Sequence, residues 1–364
     1  MRKFAKHTSL ILLGLFLCSC SNGAPIRYET KDYIKELQWK ENFLVCHFGD
    51  LHISGLTNFN YEFEWYKKVV YSNSNQKPDL IILNGDVFMN ANKEGVRRTF
   101  EFFDSLDIPY VFNYGNHDLE GSYSPQFIEK TIANSKNCLN PSTPNDDVYG
   151  RSNFLINLVD NDDLKYQIFI MDSNSYKYDN YDDIHQDQID WYERMLLDTH
   201  GYTQAPDVID ENTFTKSLFF CHIPPREFRT ARDNFKDNNP GVRVLGDNFF
   251  DGREGIGHGN NETQLLNVLS KYQATTMIAS NHDHENIFDL WYNHNQSSWP
   301  IRFIYGLKAG YSCYYADDLI GGTFYTLFEN PKLSTHGNNL YFKDSMIYVP
   351  YEGEASVLWE NSLA

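Results

Sequence analysis

The chain has 364 residues, 41% hydrophobic, 16% aromatic and 22% charged, with a formal net charge of −18. That length allows two domains or one large layered domain with a substantial core; the aromatic content excludes a disordered chain, and the composition excludes collagen, coiled coil and a multi-span membrane protein. The acidic excess argues against a sequence-independent nucleic-acid binder and against electrostatic docking on anionic lipid, both of which need a cationic face.

The chain opens on Arg2, Lys3 and Lys6, followed by an apolar run from Leu10 to Leu17. The run is shorter than the roughly 20 residues a spanning helix needs, and fits the hydrophobic region of a secretory signal. Leu17-Cys18-Ser19-Cys20 then resembles a bacterial lipobox, with a small residue just before the cysteine. The expectation is a signal peptide over 1–19, acylation of Cys20, a polar tether over 20–38 and an extracytoplasmic lipoprotein held to the cell envelope by its lipid. An ordinary cleaved signal and an uncleaved anchor are the alternatives. Beyond Cys18 and Cys20 stand only Cys46, Cys138, Cys221 and Cys313, too sparse for a disulfide framework. Cys46 and Cys221 sit in apolar runs and are expected to be buried free thiols.

Short apolar runs then end repeatedly in polar clusters. Phe43–Phe48 leads into Asp50-Leu51-His52, Leu80–Leu83 into Asn84-Gly85-Asp86, and Tyr110–Phe112 into Gly115-Asn116-His117-Asp118. Ser217–Cys221 leads into His222, and Met277–Ala279 into His282-Asp283-His284. Runs of this length and composition predict buried strands. Helical patterns at 62–73, 93–106, 124–135, 185–198 and 262–271 alternate with them, which predicts an α/β architecture. Further strands are predicted at 154–159, 166–172, 287–292, 301–306, 322–328 and 339–349, with the suggestion of a second sheet. The polar segment 203–260 reads as long loops inserted in one domain over 39–350, and 351–364 reads as a tail.

The strand ends together offer Asp50, His52, Asp86, Asn116, His117, Asp118, His222, His282 and His284. Oxygen and imidazole donors in this number suit a pair of metal ions, and the C-terminal ends of strands are where open α/β sheets place their sites. Asp-x-His and His-x-His set two donors on one side of an extended turn. The ordered set of Asp-x-His, Gly-Asp, Gly-Asn-His-Asp, His and His-x-His resembles the calcineurin-like metallophosphoesterase superfamily. Tyr149–Phe154, Met171–Tyr176 and Asp187–Trp191 draw it closest to the purple-acid-phosphatase-like branch.

The resemblance implies a single large domain with a four-layer αββα sandwich, two β-layers flanked by helices, and a two-metal centre (Mn, Fe, Zn or Mg) at one edge. It implies one ion on Asp50, His52 and His284, a second on Asn116, His222 and His282, and Asp86 bridging them. It implies His117 beside the leaving group as general acid, with Asp118 orienting it. Two dications lower the pKa of a shared water and let an acidic protein accept a phosphate. The chain departs from the family in two places: Met89 stands where purple acid phosphatases carry a tyrosine ligand, and Asn281 replaces the usual glycine before His-x-His, where a left-handed backbone is expected.

Asn174, Arg226, Arg229 and His258 are weaker substrate-contact candidates. Arg226, Arg229 and Arg232 equally fit one helix face, and His258 sits in a glycine-rich loop that fits the surface as well as the site. His47 fits strand packing as well as a site role, and Tyr176, Tyr178 and Tyr181 fit loop packing or stacking on a substrate ring. The expected activity is phosphomonoester hydrolysis on a small molecule or polymer. The rivals are phosphodiester hydrolysis on nucleotides, lipid head groups or wall polymers, and a non-catalytic surface binding lipoprotein.

Overall fold

Alternate residues along nearly every central strand are apolar on both faces, so each strand must be covered twice. The computed structural model describes residues 33–74, 76–144, 147–236, 249–261, 263–335, 338–361 and 363. The first sheet contains β2 (Phe43–Phe48), β3 (Leu80–Asn84), β4 (Tyr110–Asn113), β14 (Gly321–Leu333), β15 (Asn339–Tyr348) and β16 (Ser356–Glu360), in the order β16-β15-β14-β2-β3-β4. β2, β3 and β4 run parallel; the others pair antiparallel. The second sheet contains β1 (Ile34–Gln38), β5 (Phe154–Asp160), β6 (Asp163–Ile170), β9 (Ser217–Phe220), β10 (Phe249–Gly252), β11 (Thr275–Ser280), β12 (Asn286–Tyr292) and β13 (Ile301–Tyr305). Its order is β1-β5-β6-β9-β11-β13-β12-β10. A two-residue-per-strand hairpin, β7 (Tyr176–Lys177) and β8 (Asn180–Tyr181), stands apart.

Val45, Ile82 and Val111 of the first sheet meet Ile168, Leu218, Phe220, Met277 and Ile304 of the second in one buried layer. The outward residues Cys46, Phe48, Ile81 and Leu83 pack with Trp65, Val69, Phe100, Phe103 and Ile128. These come from α1 (Phe59–Val70), α2 (Lys93–Ser105) and α3 (Pro125–Asn134). On the far side Leu155, Phe169, Phe219, Ile278 and Phe303 pack with Trp191, Met195, Phe228, Leu266 and Leu269, from α4 (Gln186–Thr199), α5 (Glu227–Lys236) and α6 (Leu265–Tyr272). The result is the expected αββα order. Cys46 and Cys221 are free and buried. Helix starts follow local chemistry: the Asn92 side chain accepts from Gly95 N–H at 2.8 Å ahead of α2, and Pro125 occupies the first turn of α3, where its missing N–H costs nothing.

Several boundaries differ from the sequence reading. The tether expected over 20–38 ends earlier, because 34–38 form β1, paired parallel with β5. An edge strand needs only partial burial, so the polar sequence Ile-Lys-Glu-Leu-Gln hides it. The tail expected over 351–364 contains β16, which pairs with β15. The segment 203–260 is not all loop: it carries β9, α5 and β10. In α5 only Phe228 and Ala231 are buried, too thin an apolar stripe to stand out. The later strands do not build a sheet of their own: β5, β6, β12 and β13 join β9 and β11, while β14 and β15 join β2. The signal segment 1–19 and Cys20 lie outside the described residues; among the described residues no helix is long and apolar enough to cross a membrane.

Candidate metal centre

The parallel run β2-β3-β4 puts three polar turns at one edge of the first sheet, and the parallel pair β9-β11 puts two more at the facing edge of the second. Backbone bonds tie the turns together: Asp50 N–H donates to Gly85 O at 3.1 Å, His52 N–H to Asp86 O at 2.9 Å, and Asn281 N–H to His222 O at 3.1 Å. Asp50, His52, Asp86 and His282 have positive φ values of 58°, 51°, 49° and 92°. Such backbone costs on the order of 1–3 kcal/mol per residue and persists where the surroundings over-determine it, as at functional sites. Two glycines admit the close approach. A Cβ on Gly85 would lie 2.4 Å from the His222 ring, and one on Gly115 would lie 2.3 Å from Asp86 Oδ1.

The side chains converge. His222 Nε2 lies 3.1 Å from Asp86 Oδ2 and 3.9 Å from Asp50 Oδ1. His52 Nε2 lies 3.8 Å from both carboxylates. His284 Nε2 lies 3.6 Å from Asp50 Oδ1 and 2.9 Å from His52 Nε2. Donor atoms of Asp86, His222 and His282 fall within 4.8 Å of one another, as do those of Asp50, His52 and Asp86. Asp50 Oδ1, Asp86 Oδ2, Asn116 Oδ1, His222 Nε2 and both His282 ring nitrogens are buried without a hydrogen-bond partner among the described residues.

Orphaned polar atoms of this number are costly to bury, and they fit cations. The other atoms of the same groups are already engaged. Asp86 Oδ1 accepts from His117 N–H at 2.8 Å, and Asp50 Oδ2 from His282 N–H at 3.1 Å. His222 Nδ1 donates to Asn84 O at 2.9 Å and His284 Nδ1 to Tyr314 O at 2.8 Å, which leaves each Nε2 lone pair facing inward.

The electrostatics of the bare cluster conflict. Burial pushes the Asp50 and Asp86 carboxyls up, but His284 and His222 respectively outweigh it and hold both below their ordinary value. Burial also opposes a charge on His222, yet Asp86 raises it to about 9. Burial depresses His52 to about 4 and His282 to about 3. A proton on His222 thus stands where a cation would balance two carboxylates.

Two expected roles change. Asp118 does not reach the His117 ring. Its carboxylate accepts from Asp86 N–H at 2.9 Å, Gly115 N–H at 2.7 Å and Phe88 N–H at 2.8 Å, so it clamps the two turns that carry Asp86 and Asn116. The His117 ring is held instead by Glu120, whose Oε2 lies 2.7 Å from Nδ1; the spacing of three residues was the available signal. Asn281 has no left-handed backbone; that conformation falls on His282. The Asn281 side chain accepts from His47 Nε2 at 2.6 Å and Asn84 Nδ2 at 3.2 Å, and Gly49 is the space it fills, since a Cβ there would lie 2.1 Å from its amide carbon. His47 therefore braces the centre from behind, with Tyr325 OH at 3.0 Å on its other nitrogen. Sequence reasoning missed Lys308, a buried lysine whose Nζ donates to Asp50 O at 2.5 Å.

The substrate candidates fare differently. The Asn174 amide faces the scaffold, donating to Asp183 O at 2.9 Å and Gln188 Oε1 at 3.1 Å. Arg229 pairs with Asp233 along α5, 3.8 Å apart and exposed. Arg226 lines a small recess with Asp182 and Ile223. The His258 loop does reach the centre: a Cβ on Gly257 would lie 2.8 Å from His282 Nε2, while His258 itself bonds Gly259 O at 2.5 Å. Tyr176 OH accepts from Asn116 Nδ2 at 3.0 Å, and the Tyr181 ring meets His282 edge-on at 4.3 Å. Tyr176 also lines an adjoining cavity of about 510 Å³ with Gly115, Leu119 and Tyr149.

The family model for the calcineurin-like phosphoesterases matches residues 43–242. The chain belongs to that family, hydrolases of phosphoric esters. It is similar to "Probable glycerophosphodiester phosphodiesterase GpdQ" of Arcobacter nitrofigilis, 24% identical over 68% of this chain and 74% of that protein. It is also similar to two Arabidopsis thaliana proteins, "Probable inactive purple acid phosphatase 14" (29% identical, 47% of each chain) and "Probable inactive purple acid phosphatase 29" (25% identical, 58% of this chain and 56% of that one). The chain thus spans about half the length of these plant relatives.

Proposed function

We propose that this protein hydrolyses phosphomonoesters at a two-cation centre, with Asp50, His52 and His284 holding one ion, Asn116, His222 and His282 the other, and Asp86 between them. The observation that carries the proposal is the set of buried donor atoms on Asp50, Asp86, Asn116, His222 and His282 without a hydrogen-bond partner among the described residues, with those of Asp50, Asp86, His222 and His282 gathered in two overlapping clusters that share Asp86. When bound, two such cations activate water near neutral pH and neutralise charge on phosphoryl oxygens. The chain's own residues do the rest. Glu120 fixes the Nδ1 proton of His117 and leaves Nε2 as the atom that can protonate a departing alkoxide. Tyr176 holds the Asn116 amide through Nδ2 and leaves the buried Oδ1 as its open donor atom. The Asp118 clamp keeps the Asp86 and Asn116 turns in register.

A diester reading has one observation of its own, the similarity to the Arcobacter protein named as a probable glycerophosphodiester phosphodiesterase. Purified protein offered p-nitrophenyl phosphate and bis-p-nitrophenyl phosphate, with Mn, Zn, Fe or no metal, decides between them. Preference for the first substrate supports the proposal; preference for the second overturns it in favour of the diesterase. Inertness toward both, with metals fully loaded, supports the non-catalytic binding role.

Export with acylation at Cys20 belongs to the same proposal and rests on the lipobox-like Leu17–Cys20. Cys20→Ser is expected to release the protein from the membrane fraction or leave it unprocessed. Normal processing and membrane retention would overturn it.

A further inference from the structure

We propose that Cys313 supplies a thiolate ligand to the cation that Asp50, His52 and His284 would hold; the inference rests on the two-cation reading above. The Cys313 Sγ and ring nitrogens of His52 and His284 lie within 4.8 Å of one another. The loop that carries Cys313 is already committed to this half of the centre. Its neighbour Tyr314 accepts the His284 Nδ1 proton through its carbonyl at 2.8 Å and stacks its ring on the imidazole at 4.2 Å. A separate observation points to a cation at the same place. Asp50 is 1% exposed, and its Oδ1 has no hydrogen-bond partner among the described residues while lying 3.6 Å from His284 Nε2 and 3.8 Å from His52 Nε2.

With Asp86 shared between the two ions, the donors would then be two carboxylate oxygens, two imidazole nitrogens and one sulfur, a mixed set that suits zinc or a similar borderline-soft ion. Metal–sulfur and metal–nitrogen bonds of about 2.3 and 2.0–2.1 Å put sulfur and nitrogen roughly 3.6 Å apart around such an ion. The Cys313 Sγ, exposed and within 4.8 Å of both ring nitrogens, would have at most about 1.2 Å to close. Binding exchanges the thiol proton for the cation, and the proton leaves to solvent. Among the described residues the Asp86–His222–His282 cluster includes no cysteine, so the two halves would differ in the ions they select.

Full-length protein stripped of metal and reloaded with Co(II) tests this. Wild type is expected to bind two cobalt ions and show a near-ultraviolet thiolate-to-cobalt charge-transfer band. Cys313→Ser is expected to lose the band and to hold one of its two ions about tenfold more weakly, with little change toward Mg. Zn loading should slow iodoacetamide alkylation of Cys313 by about tenfold or more. Two bound cobalt ions with identical spectra in both proteins, and alkylation indifferent to zinc, would overturn the thiolate ligand alone. Failure of either protein to bind cobalt would overturn the two-cation reading with it.

Discussion

The two halves of the centre are built from different material. The His222 half is anchored in core strands: His222 Nδ1 is held by the carbonyl of Asn84 at the end of β3, and the Asn84 amide is tied to Cys221 O and Asn281. The His284 half leans on a loop, since His284 Nδ1 is held by Tyr314 O, and the exposed Tyr314 hydroxyl reaches only Glu254 on another loop, at 3.1 Å. One half is fixed by the packing of two sheets. The other depends in part on an exposed loop tip, Cys313-Tyr314, between the buried Ala309 and Ile320, and exposed tips open at lower free-energy cost than core strands.

The largest effect expected from breaking this arrangement is at Asp86, the residue proposed to serve both halves. Asp86→Asn should lose measurable turnover and cation binding together, checked by kinetics and elemental analysis on one preparation; full cation content with unchanged kcat would show that Asp86 is not the bridge. Next is the proton donor. His117→Ala should lower kcat by about 10²–10⁴-fold while cation content stays intact, and Glu120→Gln should lower it about tenfold without altering either half. Loss of both ions in His117→Ala would make His117 a ligand instead.

The comparison itself predicts an order of release. Under a chelator, cations should leave in two phases, the faster from the loop-held half, and His284→Ala should remove the fast phase while leaving the slow one. Simultaneous release from wild type would show the halves to be equally held.

The smallest effect concerns the brace behind the centre. Burial lowers His47 to about 4 from its ordinary 6.5. Below pH 6.5 the unfolded chain takes up a proton that folded His47 refuses. Its contribution to stability is therefore complete above about pH 6.5 and is lost as pH falls toward 4, on the order of 3 kcal/mol at the limit. Urea unfolding of metal-free protein across that window should show a shallower acid decline for His47→Gln than for wild type; parallel slopes would place His47's ionisation elsewhere.

Most of the side chains that converge at the candidate centre were legible in the sequence because they sit one to five residues beyond apolar runs, and a strand's direction fixes where its end must be. The αββα layering was legible for the same reason. What stayed hidden depended on contacts distant in sequence. Lys308 meets Asp50 O across 258 positions, and His47 meets Asn281 across 234. Asp118 looked like a partner for the neighbouring ring, but its carboxylate is spent on three backbone N–H groups. β1 and β16 were hidden because edge strands need little apolar sequence. Cys313 showed no motif at all: it reaches the centre only because its loop folds back over His284.

Elemental analysis of the purified full-length protein, beside His222→Ala and His284→Ala, tests the central claim most directly. Two equivalents of transition metal in the wild type, falling to about one in each variant, is the predicted result. Absence of stoichiometric metal after loading, or two equivalents retained in both variants, would contradict it.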